Sequence, residues 1–404
     1  MVSMHSSPTA QPGTVDAGGM NVSILGLAAE LAVRDVEVDL LTRATGPATT
    51  RQLLPGVTLL ELPAGPAGML PKERLSEVAD EFGEAVASLA RRSEGYDVIH
   101  AHYWLSGIAS LPVSLELGIP LVQSFHTVAA MKNLAFAAER VQDAPQEPLI
   151  RLRSESFVGR QSDAVIANSS AEASSLIDDV GVPADRVWVI PPGVDLGLFA
   201  PRSATRHEDV RRQLGLETDR QLVALAGRVQ PLKGHELAIR ALAELRTMRA
   251  TVPVLVIAGE VTPGDEQFVG WLRELAADLG VADDVRFVGA LHRDVLADLL
   301  SAASLTLVPS FSETFGLTAL ESAASGTPVI GFRSGGLSES VDDGVSGVLL
   351  GTREPRSWAS ELAVMIENDE RRSSMGLAAR SHAEHFTWGA AAASMLGVYA
   401  SVQR

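Results

Sequence analysis

The feature that most restricts what this chain can fold into is an alternation of short apolar runs with segments of helical periodicity, played out twice. "VEVDLLT" (36–42), "VTLLEL" (57–62), "YDVIHAH" (96–102), "PLVQSF" (120–125), "AVIAN" (164–168) and "RVWVIP" (186–191) form a first series. "LVALAG" (222–227), "VPVLVIAGE" (252–260), "VRFVG" (285–289), "LTLVPS" (305–310) and "TPVIGF" (327–332) form a second. Strands that are apolar at nearly every position are buried on both faces, which requires parallel sheets covered by helices. Amphipathic stretches such as 76–92 supply those helices. The fold class is therefore α/β, with two doubly wound, Rossmann-like domains. A length of 404 residues agrees with two cores rather than one. The expected boundaries are 1–195 for the first domain, 196–385 for the second, and 386–404 for a closing helix that crosses back to the first. The hinge is expected in "PPGVDLGLFAPR" (191–202), where prolines and glycines interrupt the periodicity. Only "MVSM" stands where the first domain should open with a full strand, and the expectation is a start codon assigned too late.

Composition narrows the partners. No apolar run approaches the roughly 18 residues that a membrane span needs, and "MVSMHSSPTAQPG" has neither the basic nor the apolar part of a signal peptide. Cysteine is absent, so disulfides, thiolate metal sites and thiol nucleophiles are excluded, in keeping with a cytoplasmic protein. A net charge of −17 argues against nucleic acid or an anionic membrane as partner, while leaving room for a locally basic pocket that takes a small anion.

Ligands of open α/β sheets bind beyond the carboxyl ends of the strands. In "DAGGMN" (16–21) two glycines precede a helical run, so backbone N–H groups at the helix mouth can approach an anion; a tight turn without a ligand is the plain alternative. In "GRVQPLKG" (227–234), Arg228 and Lys233 follow a strand directly, which suits a diphosphate, with surface ion pairing as the alternative. In "SETFGLTALE" (312–321), Glu313 and Glu321 flank a helix opened by Gly316, where carboxylates can accept from sugar hydroxyls and backbone N–H groups can face a phosphate. His100 and His102 share one strand face, but with no third ligand evident the reading is core packing, and no metal is expected.

These motifs resemble the retaining nucleotide-sugar glycosyltransferases of family 4, which have the GT-B fold: two Rossmann-like domains facing across a cleft. "SMHSSPTAQPGTVDAGGMNV" (3–22), "AHYWLSG" (101–107) and "FHTVAAMKN" (125–133) resemble, within that family, the inositol-phosphate glycosyltransferases of mycothiol biosynthesis. The resemblance implies transfer of N-acetylglucosamine from UDP-N-acetylglucosamine to an inositol phosphate. It assigns a phosphate clamp to Lys72, Tyr103, Thr127 and Arg151. His5, Asp16, Ala17, Gly18, Gly19, Met20 and Asn21 would contact the inositol. Gln11, Pro12 and Gly19 would lie toward the donor. Arg228, Lys233 and Glu313 would hold its diphosphate and sugar, and Glu321 its ribose hydroxyls. His126 and Glu313 would stand at the reacting centre, with His126 not acting as a general base. No cofactor, no nucleic acid and no membrane is implied, and a homodimer is expected.

The chain also departs from that pattern. Val15 stands in place of a glycine, Ser23 in place of a tyrosine, and Leu291 in place of an arginine beside the uracil, with Arg293 as the available substitute; 135–148, beside the acceptor site, diverges too. The rival readings are a relative with another acceptor (a natural-product cyclitol or a lipid), a sugar-nucleotide epimerase of the same architecture, and a non-catalytic sugar-nucleotide-binding protein.

Overall fold

The computed structural model describes residues 1–14, 16–92, 95–141, 146–216, 220–261 and 266–403. Val15 and the 142–145 part of the divergent segment lie outside these residues. The chain divides into two compact units, one comprising Met1–Ala10, Gly19–Gly193 and Trp388–Arg404, the other Gln11–Gly18 and Val194–Thr387.

In the first unit, β1 (Val38–Arg43), β3 (Val57–Leu62) and β2 (Thr49–Leu54) form one group of strands, and β4 (Ile99–His102), β5 (Leu121–Ser124), β6 (Ala164–Ala167) and β7 (Val187–Val189) another. The first residues join them. Val2 bridges in parallel to Leu41 of β1 on one side and to Ala101 of β4 on the other, through backbone bonds of 2.8–2.9 Å to His100, Leu41 and His102. The three residues Met1–Ser3 thus occupy the central strand position that the sequence pattern requires. The order β2-β3-β1-(Val2)-β4-β5-β6-β7 reverses direction at Val2, so the switch point of this sheet lies between Val2 and β4.

The sequence series does not include β2. Its residues, "TTRQLL", lie largely exposed at the sheet edge and pair antiparallel with β3. A one-sided polar edge strand lacks the continuous apolar signature by which buried parallel strands are recognised. The closing helix Trp388–Val402 packs in this unit beside Gly19–Ala32, burying Ala391, Ala392, Met395 and Val398 with Ile24, Ala28 and Leu31.

The second unit has one sheet of parallel strands, β8 (Leu222–Ala226), β9 (Val254–Ala258), β10 (Val285–Gly289), β11 (Leu305–Val308), β12 (Val329–Phe332) and β13 (Gly347–Leu350). Their order is β10-β9-β8-β11-β12-β13. Counted within the unit this is 3-2-1-4-5-6, the dinucleotide-fold order, with its switch point between β8 and β11. The sequence reading lacks β13 because "GVLL" is short and preceded by the glycine-bearing loop at 342–346.

One grouping differs from the expected boundaries. Gln11–Gly18 falls with the second unit although it is flanked by the first. The carbonyl of Gly13 accepts the Glu260 N–H at 2.9 Å, and Asp16 lies 3.6 Å from Arg228. The segment is thereby tied to the loops after β9 and β8.

Candidate active site

At the switch point of the first unit, the residues that follow β4 and β5 carry strained backbones. Tyr103 (φ 73°) follows β4 and His126 (φ 60°) lies just beyond β5, both in the left-handed region that side-chain-bearing residues avoid. Tyr103 caps the helix Trp104–Leu117, and its ring is the centre of a polar cluster. The Lys72 ammonium lies 4.9 Å from the ring centroid, the Arg151 guanidinium 5.0 Å, and the His5 ring 4.3 Å. Arg151 also donates to the Thr127 carbonyl (2.8 Å) and hydroxyl (2.9 Å). The structure therefore brings Lys72, Tyr103, Thr127, Arg151 and His5 together, from elements far apart in the chain.

Arg151 is only 3% exposed. Burial opposes its charge, but Tyr103 and the carboxylates of Glu155 (2.7 Å) and Glu147 (2.8 Å) outweigh that and hold its pKa above the ordinary value. Glu155 is itself fixed, accepting the backbone N–H of Ala129 at 2.9 Å. A further cation, absent from the sequence-based set, completes the cluster: Lys132 pairs with Glu147 at 2.7 Å. Burial, then the neighbouring Arg151 charge, bring its ammonium down to about 8 despite Glu147. Lys132 sits inside the quoted "FHTVAAMKN", and its position on the helix Ala129–Ala138, one turn beyond Thr127, is the signal that could have marked it. Lys72, Lys132 and Arg151 against Glu147 and Glu155 leave a net positive centre, suited to a phosphate dianion.

The neighbours of Tyr103 and Thr127 in the chain, His102 and His126, meet as well: His102 Nδ1 and His126 Nε2 are 2.8 Å apart with rings stacked. His100 bonds the Tyr399 hydroxyl (2.7 Å) and Ser124 (2.8 Å). Burial lowers His126 to about 4, so it is neutral at pH 7. Among the described residues no group of three or more His, Asp or Glu side chains could hold a metal ion.

Of the segment expected at the inositol, Asn21 is buried and its amide donates to Ser6 Oγ (3.0 Å) and the Ser7 carbonyl (2.7 Å), which anchors the preceding loop. Gly19 and Met20 open the helix Gly19–Ala32 of the first unit. Gln11, Pro12, Asp16, Ala17 and Gly18 fall in the second unit, where Gln11 accepts from Thr14 and Ala17 is buried. Asp16 lies 3.6 Å from the Arg228 guanidinium, on the turn whose Gly13 carbonyl accepts from Glu260.

The second unit gathers its charged residues at its own switch point. Arg228 follows β8, and Lys233 ends the short helix Pro231–Lys233. The loop after β11 is drawn against it by the Phe311 N–H to the Leu232 carbonyl (2.9 Å). Gly234 makes this approach possible: at φ 71°, a Cβ there would lie 2.1 Å from the Pro309 carbonyl oxygen. Lys233 pairs with Glu313 at 2.7 Å. Gly316 (φ 98°) caps the helix Leu317–Ala324, whose opening N–H groups form an anion-seeking terminus; a Cβ there would meet Leu337 at 2.6 Å. Further along that helix, buried Glu321 accepts from Arg293 at 2.7 Å. Arg293, expected as a substitute beside the uracil, is thus bonded to Glu321.

Two parallel doubly wound units, each with its charged residues at its switch point, define a GT-B-type group-transfer enzyme. Residues 206–382 match the family described as Glycosyl transferases group 1, and residues 18–193 the Glycosyl transferase 4-like domain. The chain is 43% identical to the D-inositol 3-phosphate glycosyltransferase of Nocardiopsis dassonvillei, covering 98% of this chain and 93% of that one. It is 42% identical to that of Xylanimonas cellulosilytica, covering 100% and 96%. It therefore belongs to this family of glycosyltransferases. Among solved structures, sucrose-phosphate synthase of Thermosynechococcus elongatus superposes with a TM-score of 0.89 at 29% identity, covering 99% of this chain and 98% of that one. Anabaena HepE, solved with UDP and glucose, superposes at 0.78 with 21% identity, covering 99% and 98%, and shares the fold. No helix among the described residues is long and apolar enough to cross a membrane.

Proposed function

We propose that this glycosyltransferase moves N-acetylglucosamine from UDP-N-acetylglucosamine to 1D-myo-inositol 3-phosphate with retention of configuration, the opening step of mycothiol assembly. The observation that carries this reading is the convergence of Lys72 and Arg151 on the Tyr103 ring, with Thr127 bonded to Arg151 and Lys132 joined to it through Glu147. Such a cluster would be poor core and is a good phosphomonoester site. The full-length relatives named for the same acceptor support it.

In this reading Arg228, Lys233 and the N–H groups that open Leu317–Ala324 hold the donor diphosphate, and Glu321 takes the ribose hydroxyls. Transfer follows front-face displacement. The bond from the anomeric carbon to the diphosphate oxygen breaks, a bond from that carbon to the inositol hydroxyl oxygen forms on the same face, and the hydroxyl proton passes to the departing diphosphate. Catalysis rests on holding both substrates and on stabilising charge on the leaving group. Neutral His126 serves as a hydrogen-bonding contact to the donor sugar. No divalent metal is required, so chelation leaves the rate unchanged. The enzyme acts in the cytoplasm as a homodimer, which light scattering on the purified chain tests.

The deciding experiment is UDP release from UDP-N-acetylglucosamine, with and without D-inositol 3-phosphate, for the wild type and Lys72→Ala. Release should require the phosphorylated acceptor and fall about tenfold or more in the variant at subsaturating acceptor. Equal activity on free inositol would sink the phosphate clamp, and turnover of donor alone would favour an epimerase.

A further inference from the structure

Arg293 and Glu321 form a unit that the sugar-nucleotide reading uses only by half. Glu321 lies on the helix Leu317–Ala324 and is 4% exposed. One of its oxygens, Oε1, accepts from Arg293 Nη1 at 2.7 Å, and Oε2 has no hydrogen-bond partner among the described residues. Arg293 is the first residue of the helix Arg293–Ala302, the positive end of the helix dipole, where a cation is disfavoured. Its compensation is specific. The guanidinium lies 4.7 Å from the centroid of the fully buried Phe199 ring and meets Glu321 at its edge. A local rule is broken and a planar, stacked cation is set at one carboxylate oxygen, the pattern expected where position matters more than helix stability.

We propose that Arg293 is the positioning residue for ribose recognition: it fixes one oxygen of Glu321 so that the other is presented to a ribose hydroxyl of the nucleotide. This rests on the sugar-nucleotide reading of the same unit and extends it to a residue which that reading leaves without a role. Burial pushes the Glu321 carboxyl above its ordinary value, and the Arg293 charge and hydrogen bond offset that in part.

Calorimetric titration of the full chain with UDP, 2′-deoxy-UDP and 3′-deoxy-UDP tests the proposal. The wild type should prefer UDP over at least one deoxy analogue by about tenfold, the worth of one charge-assisted hydrogen bond. Arg293→Met should lose that preference to within about twofold while its affinity for the deoxy analogue changes little, and Arg293→Met/Glu321→Gln should bind no worse than Glu321→Gln, since coupled residues are not additive. Arg293→Lys keeps the charge without the planar fork and should lose the preference by about threefold. A preference unchanged in Arg293→Met and Arg293→Lys, or UDP and its analogues weakened by one common factor, overturns the positioning role while leaving the nucleotide reading intact. A wild type that does not bind UDP overturns both. Should Arg293→Met not fold, the ratio in Arg293→Lys decides.

Discussion

The two charged centres of this enzyme are built on opposite principles. In the first unit the guanidinium of Arg151 is sunk in the protein, gripped by two carboxylates and by Thr127. In the second, Lys233 and Arg228 each stand beside one carboxylate, Glu313 at 2.7 Å and Asp16 at 3.6 Å, with side chains about a quarter exposed. A buried, multiply bonded cation has its geometry set before any ligand arrives, and that favours selectivity for one small dianion. Partly exposed lysine and arginine, aided by a helix terminus, suit a larger ligand whose diphosphate is only part of what is recognised. The comparison predicts that substitutions in the first centre cost folding as well as binding, whereas those in the second cost mainly turnover.

The largest effect should come from Arg151→Met. It leaves Glu155 buried beside the Ala129 N–H without its cation, and breaking a buried pair in this way costs about 3–5 kcal/mol. Denaturant unfolding should show that loss together with disappearance of inositol 3-phosphate binding. A variant as stable as the wild type would mean that Arg151 is not the fixed point of the clamp. Next comes Glu313→Gln, which keeps shape but removes the carboxylate that pairs with Lys233. Turnover should fall about a hundredfold, the scale of losing one group held at the developing charge, because Lys233 loses the partner that orients it, with the unfolding midpoint nearly unchanged. A loss of stability without loss of turnover would reverse the comparison.

Lys72→Ala lies between these extremes. The side chain starts the short helix Lys72–Val78 and stacks on Tyr103. The acceptor KM should rise about tenfold or more, with the donor KM held, because one charge-assisted contact is lost. Equal rises in both KM values would show that the residue supports the fold rather than the phosphate.

How much of this was legible in the sequence follows from which interactions are local. The paired series of apolar strands announced two doubly wound units, because burial on both faces writes itself into every residue of a strand. β2 was not announced, since its exposed polar residues are held only by pairing with β3. The clamp residues were assigned through the family resemblance, and nothing in their spacing shows that Lys72 and Arg151 would both lie against the Tyr103 ring. Lys132 and Glu147 were missed because their meeting depends on how the helices Ala129–Ala138 and Leu149–Gln161 pack. Arg293 was read by its distance from Leu291, while its actual partner lies 28 residues on. The grouping of Gln11–Gly18 with the second unit is non-local in the same way, its attachment running through the Gly13 carbonyl and Asp16 to residues more than two hundred positions away.

The smallest effect offers the finest test of the comparison, because it depends on burial itself. Lys132 is brought to about 8 by desolvation and by Arg151. Its cation is therefore present below pH 8 and lost as pH rises through that value. The acceptor phosphate becomes a dianion above about pH 6. Acceptor kcat/KM should accordingly rise through about 6 and fall severalfold through about 8, since this parameter reports groups of the free enzyme and of the free substrate. Lys132→Arg, whose guanidinium stays charged throughout, should remove the alkaline limb and leave the acid limb in place. If the alkaline limb persists in that variant, the titrating group is elsewhere and Lys132 is a structural partner of Glu147. If it disappears, the buried centre reads the acceptor by a charge that its own burial has made conditional.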